Sequence, residues 1–221
     1  MTQLVTALVF ALALALPARA IPLVPVNGDF EDPTQPFRAV GIGNLGIFDS
    51  TASGWTVEGA GGAYRPVPNI QIGEAGPTLA YINSGRMYQV LSTVIDESQR
   101  YSFTVEFFRR SDNNLGNWTG SFGIFAGGDP DDVIARADVT TAKAPPSFFR
   151  TVSAEGSALL GRLGQSLGVF VELTGPAQLN FDAGSNAVAP IPLPGALPAT
   201  IGGWAALAAL STRTRARRRR G

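Results

Sequence analysis

Residues 101–109 read Tyr-Ser-Phe-Thr-Val-Glu-Phe-Phe-Arg, and this stretch decides the fold. Tyr101, Phe103, Val105 and Phe107 fall on one side of an extended chain, while Ser102, Thr104 and Glu106 fall on the other. A period of two is that of a strand with one face turned to a core. Residues 167–173 repeat the pattern, with Leu167, Val169, Val171 and Leu173 inward. Working outward, similar short runs occur at 55–58, 79–83, 87–91, 121–126, 148–154 and 178–181, separated by Gly, Pro, Asn and Asp. Only 154–163 suggests a helical turn, and Gly156 and Gly161 keep it short. Many short strands, regular turn signals and almost no helix predict an all-β fold. The expected architecture is an antiparallel jelly-roll β-sandwich over residues 21–189, with no internal repeat and no second domain.

The bulk composition agrees. A chain of 221 residues with 45% hydrophobic content can bury one ordinary core. Its 26 glycines and 16 prolines follow no fixed period, which excludes a collagen-like chain. Cysteine and histidine are both absent. Disulfides, thiol nucleophiles, Cys/His zinc sites and every Ser-His-Asp arrangement are thereby excluded. Catalysis would have to run on carboxylates, lysine, tyrosine or hydroxyls. The formal charge of zero hides an asymmetry. With six tail arginines and Arg19 set aside, ten basic residues remain against 17 acidic ones. An acidic body with a basic end is not the profile of a nucleic-acid binder, so no nucleic acid is expected as a partner.

Both ends carry addresses. Residues 4–16 are uncharged and apolar, too few to span a bilayer comfortably, and Ala18 and Ala20 supply small residues for cleavage. Residues 1–20 therefore read as a signal peptide. Between Ile191 and Leu210 no side chain is charged, and such a stretch would reach about 30 Å as a helix. Pro192 and Pro194 place the start of a transmembrane helix near Ala196, giving 196–210. Arg213, Arg215, Arg217, Arg218, Arg219 and Arg220 form a basic cluster in the tail 211–221. They would stay on the cytoplasmic side, with the body outside, at the cell surface or beyond it.

This three-part ending, Ile191-Pro192-Leu193-Pro194-Gly195, then an apolar helix, then Arg213 to Arg220, resembles the PEP-CTERM sorting signal in its VPLPA form. The resemblance covers residues 190–221. It implies export, transient anchoring in the inner membrane with the C-terminus inside, and cutting near the motif by an exosortase-type transpeptidase. A second, looser resemblance rests on Val26-Asn-Gly-Asp-Phe-Glu31, Ser53-Gly-Trp55 and Ala177-Gln-Leu-Asn-Phe-Asp182. These runs resemble the opening and closing strands of galactose-binding-like and carbohydrate-binding-module jelly rolls. That resemblance implies a candidate structural Ca²⁺ between Glu31 and Asp182, whose hard oxygens suit the ion.

Other constellations are weaker. Gly41-Ile-Gly-Asn-Leu-Gly46 has the G-x-G-x-x-G spacing, but no helical pattern follows to receive a phosphate, so it reads as a glycine-rich loop. Asp129-Pro-Asp-Asp132 lacks calcium-loop spacing and reads as a turn. Trp55 is expected in the core. Trp118 and Tyr64 sit in polar and glycine-rich surroundings and are candidate ligand contacts. The combined expectation is a non-enzymatic surface or matrix protein whose β module binds extracellular polysaccharide. The alternatives are a small carboxylate-dependent polysaccharide-active enzyme and a purely structural biofilm scaffold.

Overall fold

The computed structural model describes residues 20–32, 41–43, 46–66, 78–108, 118–140 and 147–184, and residues Ala20–Ala189 make one compact unit. The expected signal peptide up to Arg19, Ala18 of its cleavage site included, lies outside the described residues. So do the sorting motif of Ile191, Pro192, Leu193, Pro194 and Gly195, and the expected transmembrane helix 196–210. The basic cluster of Arg213, Arg215, Arg217, Arg218, Arg219 and Arg220 lies outside them as well. Among the described residues, no helix is long and apolar enough to cross a membrane.

The all-β expectation holds. The strands are β1 (Ile21–Pro22), β2 (Gly41–Gly43), β3 (Gly46–Asp49), β4 (Thr56–Pro66), β5 (Leu79–Val94) and β6 (Arg100–Phe108). After them come β7 (Thr119–Ala126), β8 (Val133–Thr140), β9 (Ser147–Glu155), β10 (Ser166–Leu173) and β11 (Leu179–Asp182). The expected helical turn is a 3-10 turn at Gly156–Ala158. Strands pair antiparallel throughout, except that β1 runs parallel to β6 with Ile21 opposite Tyr101.

Strand β5 is the spine. Its first half pairs with β11, placing Ile82 opposite Leu179, and its second half pairs with β10, placing Met87 opposite Val171. Two expected strands, 79–83 and 87–91, are therefore one. Gly85 does not break the strand but lets it bend. It faces Gly59 of β4, both have left-handed φ (+78° and +103°), and a Cβ on Gly85 would lie 2.0 Å from the Glu58 carbonyl oxygen. Only glycine tolerates that combination of torsion and close approach.

Past the bend the sheet curls over, so that the apolar side of β6 meets that of β7. The rings of Phe103 and Phe107 lie 6.1 Å and 5.5 Å from that of Phe122. The residues that the alternation turned inward all lie in this core: Tyr101, Phe103, Val105 and Phe107, and opposite them Leu167, Val169, Val171 and Leu173. Each such burial contributes about 2 kcal/mol. Trp55 joins them, its ring 5.5 Å from Phe30 and 5.8 Å from Phe181. Strand β8 was missed because it is only half-buried and carries Arg136 and Asp138 between small residues. The Gly41–Gly46 run, read as a loop, supplies β2 and the first residue of β3.

Candidate functional site

Alternation leaves every strand a second face, which the sequence assigns to solvent. On β6 and β11 that assignment fails at one end. Glu106, Phe108, Gln178, Asn180 and Asp182 point away from the main core, yet all are buried, Asn180 completely and Asp182 to 6% exposure. Register brings them together. Asp182 lies opposite Glu106, and Asn180 lies between Phe108 of β6 and Tyr81 of β5. Side chains directly opposite in an antiparallel pair share a face, with Cβ atoms about 5 Å apart. Two carboxylates, an amide and two aromatic rings thus occupy one patch. Tyr64, Leu79, Tyr81 and Phe108 form an apolar cluster separate from the main core, and this cluster walls the patch.

The polar groups are held in place locally. Gln178 Nε2 donates to Asn180 Oδ1 at 2.7 Å. Among the described residues Asn180 Nδ2 has no hydrogen-bond partner. Asp182 Oδ1 accepts the Gly184 N–H at 2.7 Å, which fixes the carboxylate at the strand end. Burial, with a smaller contribution from the Asp49 charge, pushes the Tyr81 hydroxyl above the usual tyrosine range, so it stays a neutral donor. Asp49 is itself buried and accepts from the Thr51 N–H and hydroxyl at 3.0 Å and 2.8 Å.

The structure sorts the expected site residues. Tyr64 lies in the wall of this patch. Trp118 lies in the main core instead, its ring 5.5 Å from Phe107 and stacked 6.4 Å from Phe148. Asp182 lies in the patch, while Glu31 sits in the turn that follows β1, its Oε1 accepting the Thr78 N–H at 2.7 Å. The two segments are tied by the Ala183 N–H donating to the Gly28 carbonyl at 2.9 Å. No group of three or more acidic side chains that could hold a metal occurs among the described residues. Asp129–Asp132 forms the expected turn between β7 and β8, with the Asp132 N–H on the Asp129 carbonyl at 3.0 Å. Reading the sequence missed Glu106, Asn180, Tyr81 and Phe108 as site residues. The available signal was the polar alternation of Asn180 and Asp182 in a run otherwise apolar, but only strand order shows what stands beside it.

The HpiC1-like family, described as HpiC1 cyclase, matches residues 22–183. No curated protein matches the chain. Among solved structures, the Stig cyclase Fisc from Fischerella sp. TAU, in complex with (3Z)-3-(1-methyl-2-pyrrolidinylidene)-3H-indole, is 21% identical with a TM-score of 0.54 over 76% of this chain and 96% of that one. A cyclase from the same organism, in complex with 4-(1H-indol-3-yl)butan-2-one, is also 21% identical, with a TM-score of 0.54 over 72% and 93% of the two chains. At this identity the likenesses show the fold alone. The family match overturns the expected role. A cyclase family spanning the β body replaces the non-enzymatic polysaccharide module, the biofilm scaffold and the polysaccharide-active enzyme. It likewise replaces the exosortase-type transpeptidase, the inner membrane and extracellular polysaccharide as working partners. The absence of histidine leaves carboxylates, lysine, tyrosine or hydroxyls for catalysis, and only register singles out Glu106 and Asp182 among the acids.

Proposed function

The chain belongs to the HpiC1-like family, and on that premise we propose that it is a cyclase of small aromatic molecules, working on the buried patch of β4, β5, β6 and β11. One observation carries the reading: Glu106 and Asp182 stand at one register position beside Asn180, inside a wall of Tyr64, Tyr81 and Phe108. Buried polar side chains are costly unless hydrogen-bonded or paired, and a cluster of them on the face of a sheet away from its core is a candidate functional site. The relatives' complexes hold indole-bearing molecules, and a wall of aromatic rings suits a flat, apolar ring system of that class.

The chemistry follows from the residue types. A cyclisation is an isomerisation, so no oxidant or reductant is needed. One carboxyl group of the Glu106–Asp182 pair donates its proton to an electron-rich carbon–carbon double bond of the substrate. The cation so formed is attacked by a second π bond, which makes the ring-closing carbon–carbon bond. A proton then leaves a neighbouring carbon, and the carboxylate takes it back. The pair offers both a proton donor and a carboxylate to take the proton back. The faces of Tyr81 and Phe108 stabilise the passing positive charge, an interaction worth about 2 kcal/mol when desolvated. Burial of the patch keeps water from capturing the cation.

The test is turnover of indole-bearing alkenes, followed by mass-neutral product formation, together with calorimetric binding of the indolyl ketone seen in the relative. Asp182→Asn and Glu106→Gln should each lower kcat by about 10²–10⁴-fold with the far-UV spectrum unchanged. Full turnover in both variants would remove the carboxylate pair from the mechanism.

A structural Ca²⁺ at Glu31 and Asp182 is a separate proposal. It is supported by the Gly28–Ala183 tie between their segments and by Thr78 Oγ1, a buried oxygen with no partner among the described residues, next to Glu31. The ion would brace the turn against β11 and hold Asp182 as a carboxylate, leaving Glu106 as the carboxyl group that carries the proton. An apparent melting temperature that rises with Ca²⁺, and does not in Glu31→Gln, would support it. Identical melting in Ca²⁺ and in chelator would exclude it.

A further inference from the structure

We infer that Asn180 Nδ2 is the group that selects substrates, by donating a hydrogen bond to an acceptor atom carried beside the aromatic ring. This rests on the cyclase reading of the same patch and names a requirement which that reading leaves open. Asn180 is completely buried, and its two polar ends differ in their fate. Oδ1 is taken by Gln178 Nε2 at 2.7 Å, which fixes the amide's orientation, while Nδ2 has no partner among the described residues. A buried donor left unmet is costly, and native proteins keep few of them.

The neighbours of Asn180 define what could meet it. Tyr81 lies directly opposite on one side and Phe108 on the other. Both belong to the apolar cluster with Tyr64 and Leu79. A molecule in this patch therefore stacks its flat part against aromatic rings and offers a lone pair to one N–H between them. The acceptor is neutral, such as a carbonyl oxygen or an unprotonated imine nitrogen. A site built to hydrogen-bond a substrate rejects the analogue that lacks the group, because its own donor is then stranded.

The experiment compares two ligands by calorimetry on the full chain: the indolyl ketone used above and its deoxy analogue with a plain butyl chain. The wild type should bind the ketone roughly tenfold more tightly. Asn180→Leu should erase the difference by weakening the ketone alone. Asn180→Asp, which keeps the size but loses the donor, should also disfavour the ketone and covers the case in which the leucine variant fails to fold. Gln178→Met, which frees the amide to rotate, should shrink the preference without abolishing binding. Equal binding of both ligands by the wild type overturns the role of Asn180 while leaving an aromatic-binding site. A preference that survives in a folded Asn180→Leu or Asn180→Asp variant also overturns it. Binding of neither ligand sinks the cyclase reading, and this inference with it.

Discussion

The two outward faces of the curled sheet obey the same alternation and carry opposite chemistry. On the face of β5, β7, β8 and β10, charges meet charges at the surface. Arg86 reaches Glu58 at 2.7 Å and Asp131 at 2.6 Å, and Arg136 reaches Glu172 at 3.2 Å. Their guanidinium groups lie over Tyr88 and Phe170, 5.7 Å and 6.0 Å from the ring centres. Glycines complete the arrangement: a Cβ on Gly168 would lie 2.0 Å from the Phe125 ring, so that ring lies flat on bare backbone. Such half-exposed pairs contribute little each and keep a face solvated. On the face of β6, β11 and the start of β5, Glu106, Asn180 and Asp182 are buried among aromatic rings. Composition alone does not separate the faces, since both contain acids and aromatics. Burial does. A polar group removed from water must gain something in return, and an enzyme's substrate is one such return.

The largest expected effect breaks this comparison. Asp182→Asn should cost about 10²–10⁴-fold in turnover, while Arg86→Ala on the other face should change it less than about twofold. If the two variants lose activity alike, the distinction between the faces fails. Next in size is Gly85→Ala, which forces a Cβ to within 2.0 Å of the Glu58 carbonyl at a left-handed torsion. It should destabilise by about 2–3 kcal/mol, read from denaturant midpoints. Gly168→Ala should cost about 1–3 kcal/mol through displacement of Phe125, with binding of the indolyl ketone retained. An equal loss of ketone affinity would show that the two faces are coupled.

The smallest effect concerns pH. The Tyr81 hydroxyl is raised above its ordinary value by burial and by Asp49. A raised value means that the folded state holds its proton longer than the unfolded chain does. The stability from Tyr81 is therefore complete below the ordinary tyrosine range, about pH 10. It is lost as pH rises through the folded value. In Tyr81→Phe that alkaline decline should be shallower in chemical denaturation at stepped pH.

Much of the fold was legible because it rests on local pattern. Tyr101 to Phe107 and Leu167 to Leu173 gave two core faces by alternation, and Asp129–Asp132 gave a turn by residue type. The failures share one cause. Gly85 looked like a break because a sequence does not show that Gly59 will stand opposite it. Glu106 looked solvated because its neighbours Ser102 and Thr104 are on the same side, and nothing along the chain says that β11 lies alongside. Asn180 and Asp182 alternate with Leu179 and Phe181 as the outer residues of any half-buried strand would. Roles set by contacts between residues more than seventy positions apart, such as Glu106 with Asp182, are written in register and not in spacing. The non-enzymatic expectation failed for the same reason: carboxylates were the groups left for catalysis, but nothing along the chain singles out one pair of acids among 17.

The bent strand β5 has one more consequence. Its first residues carry Tyr81 of the candidate patch, and its last residues lie in the opposite half of the sheet. No loop intervenes at which one half could come loose while the other stays intact. Heating should therefore produce a single sharp transition, with patch and scaffold lost together. Protection of the Tyr81 and Tyr88 amides from solvent exchange should then vanish at the same free energy.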